Sequence, residues 1–405
     1  MKTFTILFFL AFLPLNLFSQ WSQVTSPTSN DLYTVFFMDV STGYVSGSLN
    51  GTIYKTTDGG NTWNALSADT TGTFYGMYFK DQQTGVIGGT SKQIFKTTDG
   101  GNTWTVKTSG SGTIYAISYY PNTYYAVGGN PTVIDKSYDG GDGWIPVAPP
   151  TSDPLKGVWF TTANLGWICG DNGAIYKTSD AGGTWISQVQ PSHNFESIRF
   201  LGAYNGYVVG SDGTLLKTSN SGANWYPLSS GVTSTLYDLI LLNSTTGWIV
   251  GADGVVLKSS DGGANWFQQT TNTTNSINAI SIVNSLTGYV VGNGGIILKS
   301  TNGGGPPIGV KSISNEIPAN YQLLQNYPNP FNPVTIIEYQ IPKSSFVTLT
   351  VYDNIGNEIV KLVNTSQRAG TYEVDFNGEN LSSGIYYYRI TTDDFTASRK
   401  MVLVK

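Results

Sequence analysis

Short apolar and aromatic runs alternate with polar, glycine-rich stretches along most of the chain. Leu32-Tyr33-Thr34-Val35-Phe36-Phe37 is one such run, and Phe74 to Phe79 is another. In most units such a run is followed by a Gly-aromatic-Val/Ile-x-Gly piece, as in Gly43 to Gly47, Gly206 to Gly210 and Gly247 to Gly251. A further run of the type Ile53-Tyr54-Lys55-Thr56 comes next. Runs this short, rich in β-branched and aromatic residues and bounded by Gly, Asn and Asp, predict strands. Asn50-Gly51, Asn172-Gly173, Asp212-Gly213, Asp253-Gly254 and Asn293-Gly294 predict two-residue hairpin turns, whose central residues need positive φ.

The pattern repeats. Trp21, Trp63, Trp104, Trp144, Trp185, Trp225 and Trp266 recur at intervals of 40 to 42 residues. Lys55, Lys96, Lys136, Lys177, Lys217, Lys258 and Lys299 keep the same beat near the end of each unit. Four short strands per unit, seven times over, predict a seven-bladed β-propeller. An open solenoid is the competing architecture. The seventh unit runs out at Ser300 to Gly304, and the strand it lacks stands at Trp21-Ser22-Gln23-Val24. The expectation is therefore a ring closed by the N-terminal strand.

The junction between units reads Thr56-Thr57-Asp58-Gly59-Gly60-Asn61-Thr62-Trp63. Copies run Thr97 to Trp104, Ser137 to Trp144, Thr178 to Trp185, Thr218 to Trp225 and Ser259 to Trp266. This Ser/Thr-x-Asp-x-Gly-x-Thr-Trp pattern resembles the Asp-box of bacterial sialidases, sortilin-like receptors and xyloglucanases. Together with the Gly-Tyr/Trp-Val-x-Gly strand it is most similar to repeats of the photosystem II assembly-factor family. The box carboxylate can accept hydrogen bonds from its own turn, Gly takes the strained backbone position, and Trp packs between blades. Asp58, Asp99, Asp139, Asp180 and Asp261 are replaced by Asn220 and Asn302 in two units. A residue that can lose its charge suits a turn clamp better than a calcium site, and the resemblance implies a structural box. No metal or cofactor is expected.

After Gly304 the composition changes. Residues 306–320 read as a linker. Residues 321–405 contain alternating segments such as Val347-Thr348-Leu349-Thr350-Val351-Tyr352 and predict a small immunoglobulin-like β-sandwich. Tyr327-Pro328-Asn329-Pro330-Phe331, Val351 to Gly356, Leu381 to Tyr386 and the terminal Lys400 to Lys405 closely resemble the type A sorting domain of the type IX secretion system. That resemblance implies passage through the periplasm, export across an outer membrane by the type IX machinery, and removal of the domain. An ordinary adhesion module would share the fold but not the terminal lysine-flanked strand.

Residues 1–19 fit this route. Lys2 precedes an apolar stretch from Ile6 to Leu17, with Ser19 at a plausible cleavage point. The run is shorter than the ~20 residues of a membrane span, so a signal peptide is expected rather than an anchor. The mature propeller would occupy residues 20–305 with no transmembrane segment, at the outer cell surface or outside the cell.

Composition limits the chemistry. Of 405 residues only 12% are charged, 48 are Gly, and the net charge is −5. Clustered cations for nucleic acid are missing. The single Cys169 permits no intrachain disulfide and reads as a buried apolar residue. Within the propeller the only Glu, His and Arg are Glu196, His193 and Arg199. One arginine cannot form the triad that the sialidase resemblance would imply, nor the cationic patch that photosystem assembly would. Glycoside hydrolysis usually needs two carboxylates flanking the bond, and no such pair is recognisable in sequence. No catalytic residue is assigned.

The inner strands differ from unit to unit. One column contains Tyr33, Tyr75, Tyr115, Lys156, Glu196, Tyr237 and Asn278, and a second includes Phe36, Tyr78, Trp159 and Arg199. The first column should rim the face opposite the Asp-boxes. With Asp238, its aromatic and charged members form a candidate ligand-binding rim: Tyr33, Tyr75, Tyr115, Lys156, Trp159, Glu196, Arg199, Tyr237 and Asp238. The expected function is an exported binding module for an unknown protein or glycan. The alternatives are simple packing between blades and a glycan-active hydrolase, the latter requiring Glu196 and Asp238 to converge in one cavity.

Overall fold

A computed structural model describes residues 20–48, 51–68, 71–188, 193–304, 311–314, 317–367, 369–378 and 381–405. The expected signal peptide, Asn50 and residues 306–310 and 315–316 of the expected linker lie outside these residues. The chain divides into two compact units, Gln20–Gly309 and Val310–Lys405.

The first unit is all-β. Among the described residues it holds seven four-stranded antiparallel sheets, one per repeat. The first is Leu32–Phe37, Gly43–Gly47, Thr52–Thr56 and Asn64–Ser67, hydrogen-bonded in chain order. The seventh takes Ile277–Ile282, Gly288–Gly292 and Ile297–Ser300, and its fourth strand is Ser22–Gln23 from the far end of the chain. Ser22 pairs with Lys299 and Gln23 with Leu298.

The Gly-aromatic-Val-x-Gly strand has steric causes. A Cβ on Gly43 would stand 2.5 Å from the Phe37 ring, and one on Gly206 2.4 Å from Phe200. Those rings must lie flat over the glycine, because they stack on the preceding blade. Phe37 stacks on Tyr289 at 3.5 Å, Phe160 on Tyr125 at 3.6 Å and Phe200 on Trp167 at 3.5 Å. The repeat tryptophans meet the same phenylalanines edge-on: Trp63 on Phe37, Trp185 on Phe160 and Trp225 on Phe200. Each interface between blades is thus a three-ring stack or its aliphatic equivalent. Such offset and edge-to-face pairs are worth ~0.5–1.5 kcal/mol each beyond their burial.

The hairpins carry the expected left-handed pairs in three units. Asn172 and Gly173 have φ of 56° and 78°, Asp212 and Gly213 54° and 67°, Asp253 and Gly254 57° and 72°. In the seventh unit the pair is Gly294-Gly295, one residue later than the sequence suggested. Asn293 instead occupies the place of Asp171, accepting the turn's N–H from Ile296.

The second unit contains two four-stranded sheets. One is ordered Lys311–Ser314, Gly370–Asn377, Val334–Ile341, Gln322–Leu323. The other is Glu358–Gln367, Ser345–Tyr352, Gly384–Thr391, Thr396–Leu403. Ile337, Tyr339 and Val374 of the first share a core with Leu349, Val351, Tyr388 and Met401 of the second. Lys311–Ser314, read above as linker, is a sheet strand of this unit.

Trp21 is 1% exposed and packs with Trp248, Val250, Ile277 and Leu298. Trp21→Ala should cost about 3–5 kcal/mol, measured by denaturant unfolding of the full chain. A loss below about 1 kcal/mol would mean that this strand is not integral to the seventh sheet.

Candidate functional site

The two ends of every blade differ in chemistry. Asp-boxes follow the third strand. The inner strand begins at the opposite end, since Leu32 pairs with Gly47 while Gly43 pairs with Thr56.

At the box end, Asp58 works as a local clamp. Its Oδ1 accepts from Thr56 Oγ1 at 2.8 Å and Thr62 N–H at 2.9 Å, and its Oδ2 accepts from Thr62 Oγ1 at 2.6 Å. Thr56 Oγ1 in turn accepts the Gly60 N–H at 2.9 Å. Asp99, Asp139, Asp180 and Asp261 repeat the scheme. Asn220 keeps the Oδ1 bonds, to Thr218 Oγ1 and Asn224 N–H, and Asn302 keeps the one to Ser300 Oγ. Hydrogen bonds from Thr62, then from Thr56, hold the Asp58 carboxyl down at about 2; the Thr184 and Thr178 bonds do the same for Asp180.

The lysine series, given no role by the sequence, completes this face. Lys55 Nζ donates to Gly100 O at 2.6 Å, Lys217 to Gly262 O at 2.7 Å, and Lys299 to Gly59 O at 2.8 Å. Each lysine reaches the box turn of the next blade while lying over its own blade's aromatic ring, 5.2–5.5 Å from the centroid in these three. Lys96 instead binds Asp142 Oδ2 at 2.6 Å.

At the other end, each inner strand carries a register break. The shifts fall between Leu32 and Thr34, Phe74 and Gly76, Ile114 and Ala116, Leu155 and Gly157, Phe195 and Ser197, Leu236 and Asp238, and Ile277 and Ala279. The extra residue of each bulge is the rim column itself: Tyr33, Tyr75, Tyr115, Lys156, Glu196, Tyr237 and Asn278. A bulge re-aims its side chain out of the ladder. All seven are half-buried. Burial at positions one, three, four and six of these strands breaks strict alternation, as a bulge does, while the sequence there (Thr34, Gly76 and Gly157 at position three) carries no such apolar pattern.

The structure joins five of these residues in blade order. Tyr33 and Tyr75 rings lie 5.0 Å apart, and Tyr75 and Tyr115 5.5 Å. Lys156 Nζ sits 4.8 Å from the Tyr115 centroid and 3.6 Å from Glu196 Oε2. Burial raises the Glu196 carboxyl, opposed by Lys156 and reinforced by Asp171. Burial likewise raises the Tyr33 and Tyr75 hydroxyls. Asn278 bridges the seventh blade to the first, donating to Leu32 O at 2.8 Å. Tyr237 holds the equivalent bulge in blade six.

Trp159, Arg199 and Asp238 form a second cluster. The Arg199 guanidinium lies 5.0 Å from the Trp159 ring and 3.3 Å from Asp238 Oδ1. Asp238 also accepts from Ser197 Oγ at 2.9 Å and Ile280 N–H at 3.3 Å, so it ties blades five, six and seven. Two clefts of about 190 and 650 Å³ are lined by Asp-box-side residues, including Lys217 and Trp266 in one and Lys177 and Trp225 in the other. None of their lining residues belongs to the rim. Cys169 is buried, and burial pushes its thiol up. Among the described residues no cluster of His, Cys, Asp and Glu could hold a metal, and no helix is long and apolar enough to cross a membrane.

The geometry defines a repeat β-propeller whose blades differ in chemistry at their two ends, with a further all-β unit after it. The chain belongs to the photosynthesis system II assembly factor YCF48 family, whose model matches residues 63–192, 149–219 and 218–330. Residues 325–405 match the secretion system C-terminal sorting domain. This is a type IX sorting tail, and it marks the protein for secretion to the cell surface or extracellular space.

Three solved structures show the same fold. YCF48 bound to D1 peptide is 20% identical, with 72% of this chain and 96% of that one covered and a TM-score of 0.60. YCF48 from Cyanidioschyzon merolae is 19% identical, covering 69% and 98%, with a TM-score of 0.59. PorZ, an essential bacterial surface component of the type IX secretion system of Porphyromonas gingivalis, is 14% identical, covering 93% and 60%, at 0.52. No curated protein matches the chain.

Two predictions concern the box. Thr56 is 0% exposed, and Thr56→Val leaves the buried Gly60 N–H without an acceptor. It should cost about 1–3 kcal/mol in denaturant unfolding. The Asp58 and Asp180 carboxyls titrate lower folded than unfolded. Their stabilisation is therefore present above the ordinary carboxylate value of 3.8 and is lost as pH falls towards about 2. Asp58→Asn with Asp180→Asn should flatten the stability loss across that window; an unchanged acid limb would refute the clamp.

Proposed function

We propose that the propeller is an exported binding module that engages a protein or glycan through its bulged rim. The observation that carries this is the unbroken chain Tyr33, Tyr75, Tyr115, Lys156, Glu196 on five consecutive blades. Seven bulges lift these positions out of the ladder at one end of the ring, and their variation from blade to blade gives the face a direction. Tyrosines combine contact area with a polar handle. The Lys156–Glu196 pair adds a polar boundary beside the aromatic arc.

The reading includes a ring closed by the N-terminal strand. It is supported by the Ser22 and Gln23 pairing and by the Lys299 bond from the seventh blade to the first blade's box. It also includes an immunoglobulin-like tail, transit through the periplasm, and Asp-boxes that are purely structural. We place binding ahead of hydrolysis because both candidate carboxylates are engaged, Glu196 with Lys156 and Asp238 with Arg199, Ser197 and Ile280.

A glycan array and a pull-down with the full chain should yield a ligand whose binding falls at least about tenfold in Tyr75→Ala with Lys156→Ala, a change of hot-spot size. Retention of full affinity in that variant would place the site elsewhere. Deleting residues 321–405 should leave the propeller in the periplasm; normal release of the truncated form would remove the tail from the export route.

A further inference from the structure

The sorting tail carries a surface with no structural purpose of its own. Tyr327 is 80% exposed. Its backbone bridges to Ile336 in both directions, Tyr327 N–H to Ile336 O and Ile336 N–H to Tyr327 O, each 2.9 Å. Ile336 and Val334 are exposed on the same face of their strand, and Pro328 and Pro330 are exposed beside them. Tyr327, Ile336 and Val334 are thus exposed apolar neighbours, through the bridge and along the strand, on a unit that has its own core.

The patch is held rigidly from beneath. Asn326 is buried and its Nδ2 donates to Pro328 O at 3.1 Å and Thr335 Oγ1 at 2.9 Å. Thr335 Oγ1 donates to Pro328 O at 2.7 Å. The Tyr388 hydroxyl accepts the Asn326 N–H and donates to Leu324 O, both at 2.7 Å. A satisfied buried polar network fixes one conformation. Here it fixes a loop whose outer face is an exposed aromatic ring, which lowers the entropy cost of docking that ring.

The flank of the patch adds a second observation. Ile336 pairs with Asp375, and Glu338 pairs with Glu373, which stands opposite Lys311 on its other side. Glu338 and Asp375 therefore flank Ile336 as the acidic positions beside the exposed apolar residues, while Glu373 has a lysine in register.

We propose that Tyr327, Ile336 and Val334 form the docking surface by which the type IX machinery reads this tail, with Tyr327 as the anchor ring. The partner is a protein component of that machinery presenting an apolar pocket with a cationic rim, complementary to Glu338 and Asp375. This assignment is independent of what the propeller binds.

The test is export of the full chain in a type IX-competent bacterium, reading extracellular against periplasmic protein. Tyr327→Ser and, separately, Glu338→Lys with Asp375→Lys should each lower the extracellular fraction about tenfold, a loss of hot-spot size. Tyr327→Phe should export normally. Phe346→Ser, a change at a 48% exposed residue of the tail outside the four sorting motifs, should also export normally. Limited proteolysis of the periplasmic Tyr327→Ser protein should give the wild-type pattern. Normal export of Tyr327→Ser, an equal defect in Phe346→Ser, or protease sensitivity of the retained protein would each overturn the proposal.

Discussion

Each blade of this propeller is a four-stranded sheet that cannot bury its own faces, so the structure depends on the tie between neighbouring blades. That tie has two parts. A stacked aromatic pair with a tryptophan at its edge supplies the apolar area. A lysine then crosses to a carbonyl of the next blade's box turn. The turn can offer that carbonyl only because the box side chains have already closed it. Thr56 and Asp58 satisfy the turn's N–H groups, which leaves the Gly59 oxygen facing out. Clamp, stack and lysine are therefore one device. This explains why Asn220 and Asn302 are tolerated: the device needs an acceptor on the turn, and the charge is secondary.

The parts of this device that recur at a fixed interval could be read from sequence. Tryptophan and lysine series in one register gave repeat number, blade boundaries and the phase that places Trp21 beside the seventh unit. Periodicity says that equivalent residues share an environment. It does not say what that environment is, and so the lysines had no partner until the neighbouring turn was visible. Local geometry that depends on ladder register was also hidden. The left-handed pair of the seventh hairpin is Gly294-Gly295 because Asn293 holds the place of Asp171, Ser211 and Ala252, whose carbonyls accept the same turn bond. Lys311–Ser314 carries weak strand chemistry next to Pro306-Pro307 and is a strand because Gly370–Asn377 offers an edge.

The rim shows how a bulge divides the work along one strand. Beyond the bulge, Val35, Ile198 and Leu239 are buried and must stay apolar in every blade. At the bulge the side chain leaves the ladder and packing no longer dictates its identity. Variation is therefore concentrated where the fold permits it, and the column shifts from three tyrosines to a Lys–Glu pair within five blades. Asp238 marks the limit of this freedom. It stands one residue after the bulge, where a Cβ at the equivalent Gly157 already comes within 3.1 Å of the next strand's backbone nitrogen. A carboxylate there meets three blades at once and becomes a strut. Asp238 belongs to the rim proposed from sequence, and one residue beyond the bulge it is also bonded to Ser197, Arg199 and Ile280.

The tail applies the same economy to a different hazard. Its last strand, Thr396–Leu403, lies at a sheet edge, and an open edge is a template for pairing with other chains. Gln325 Nε2 donates to Lys400 O at 2.7 Å, and Asn329 Oδ1 accepts the Val402 N–H at 2.9 Å. Phe331, 2% exposed, then bridges the same edge through Val402 O and the Val404 N–H. The segment from Gln325 to Phe331 thus seals the edge with its inward residues. That part of the edge offers few free ladder groups to a strand from another chain. The same segment turns Tyr327 outward, while Asn326, Thr335 and Tyr388 hold its loop from beneath. The spacing within Tyr-Pro-Asn-Pro-Phe thus puts Asn329 and Phe331 on the strand and Tyr327 away from it.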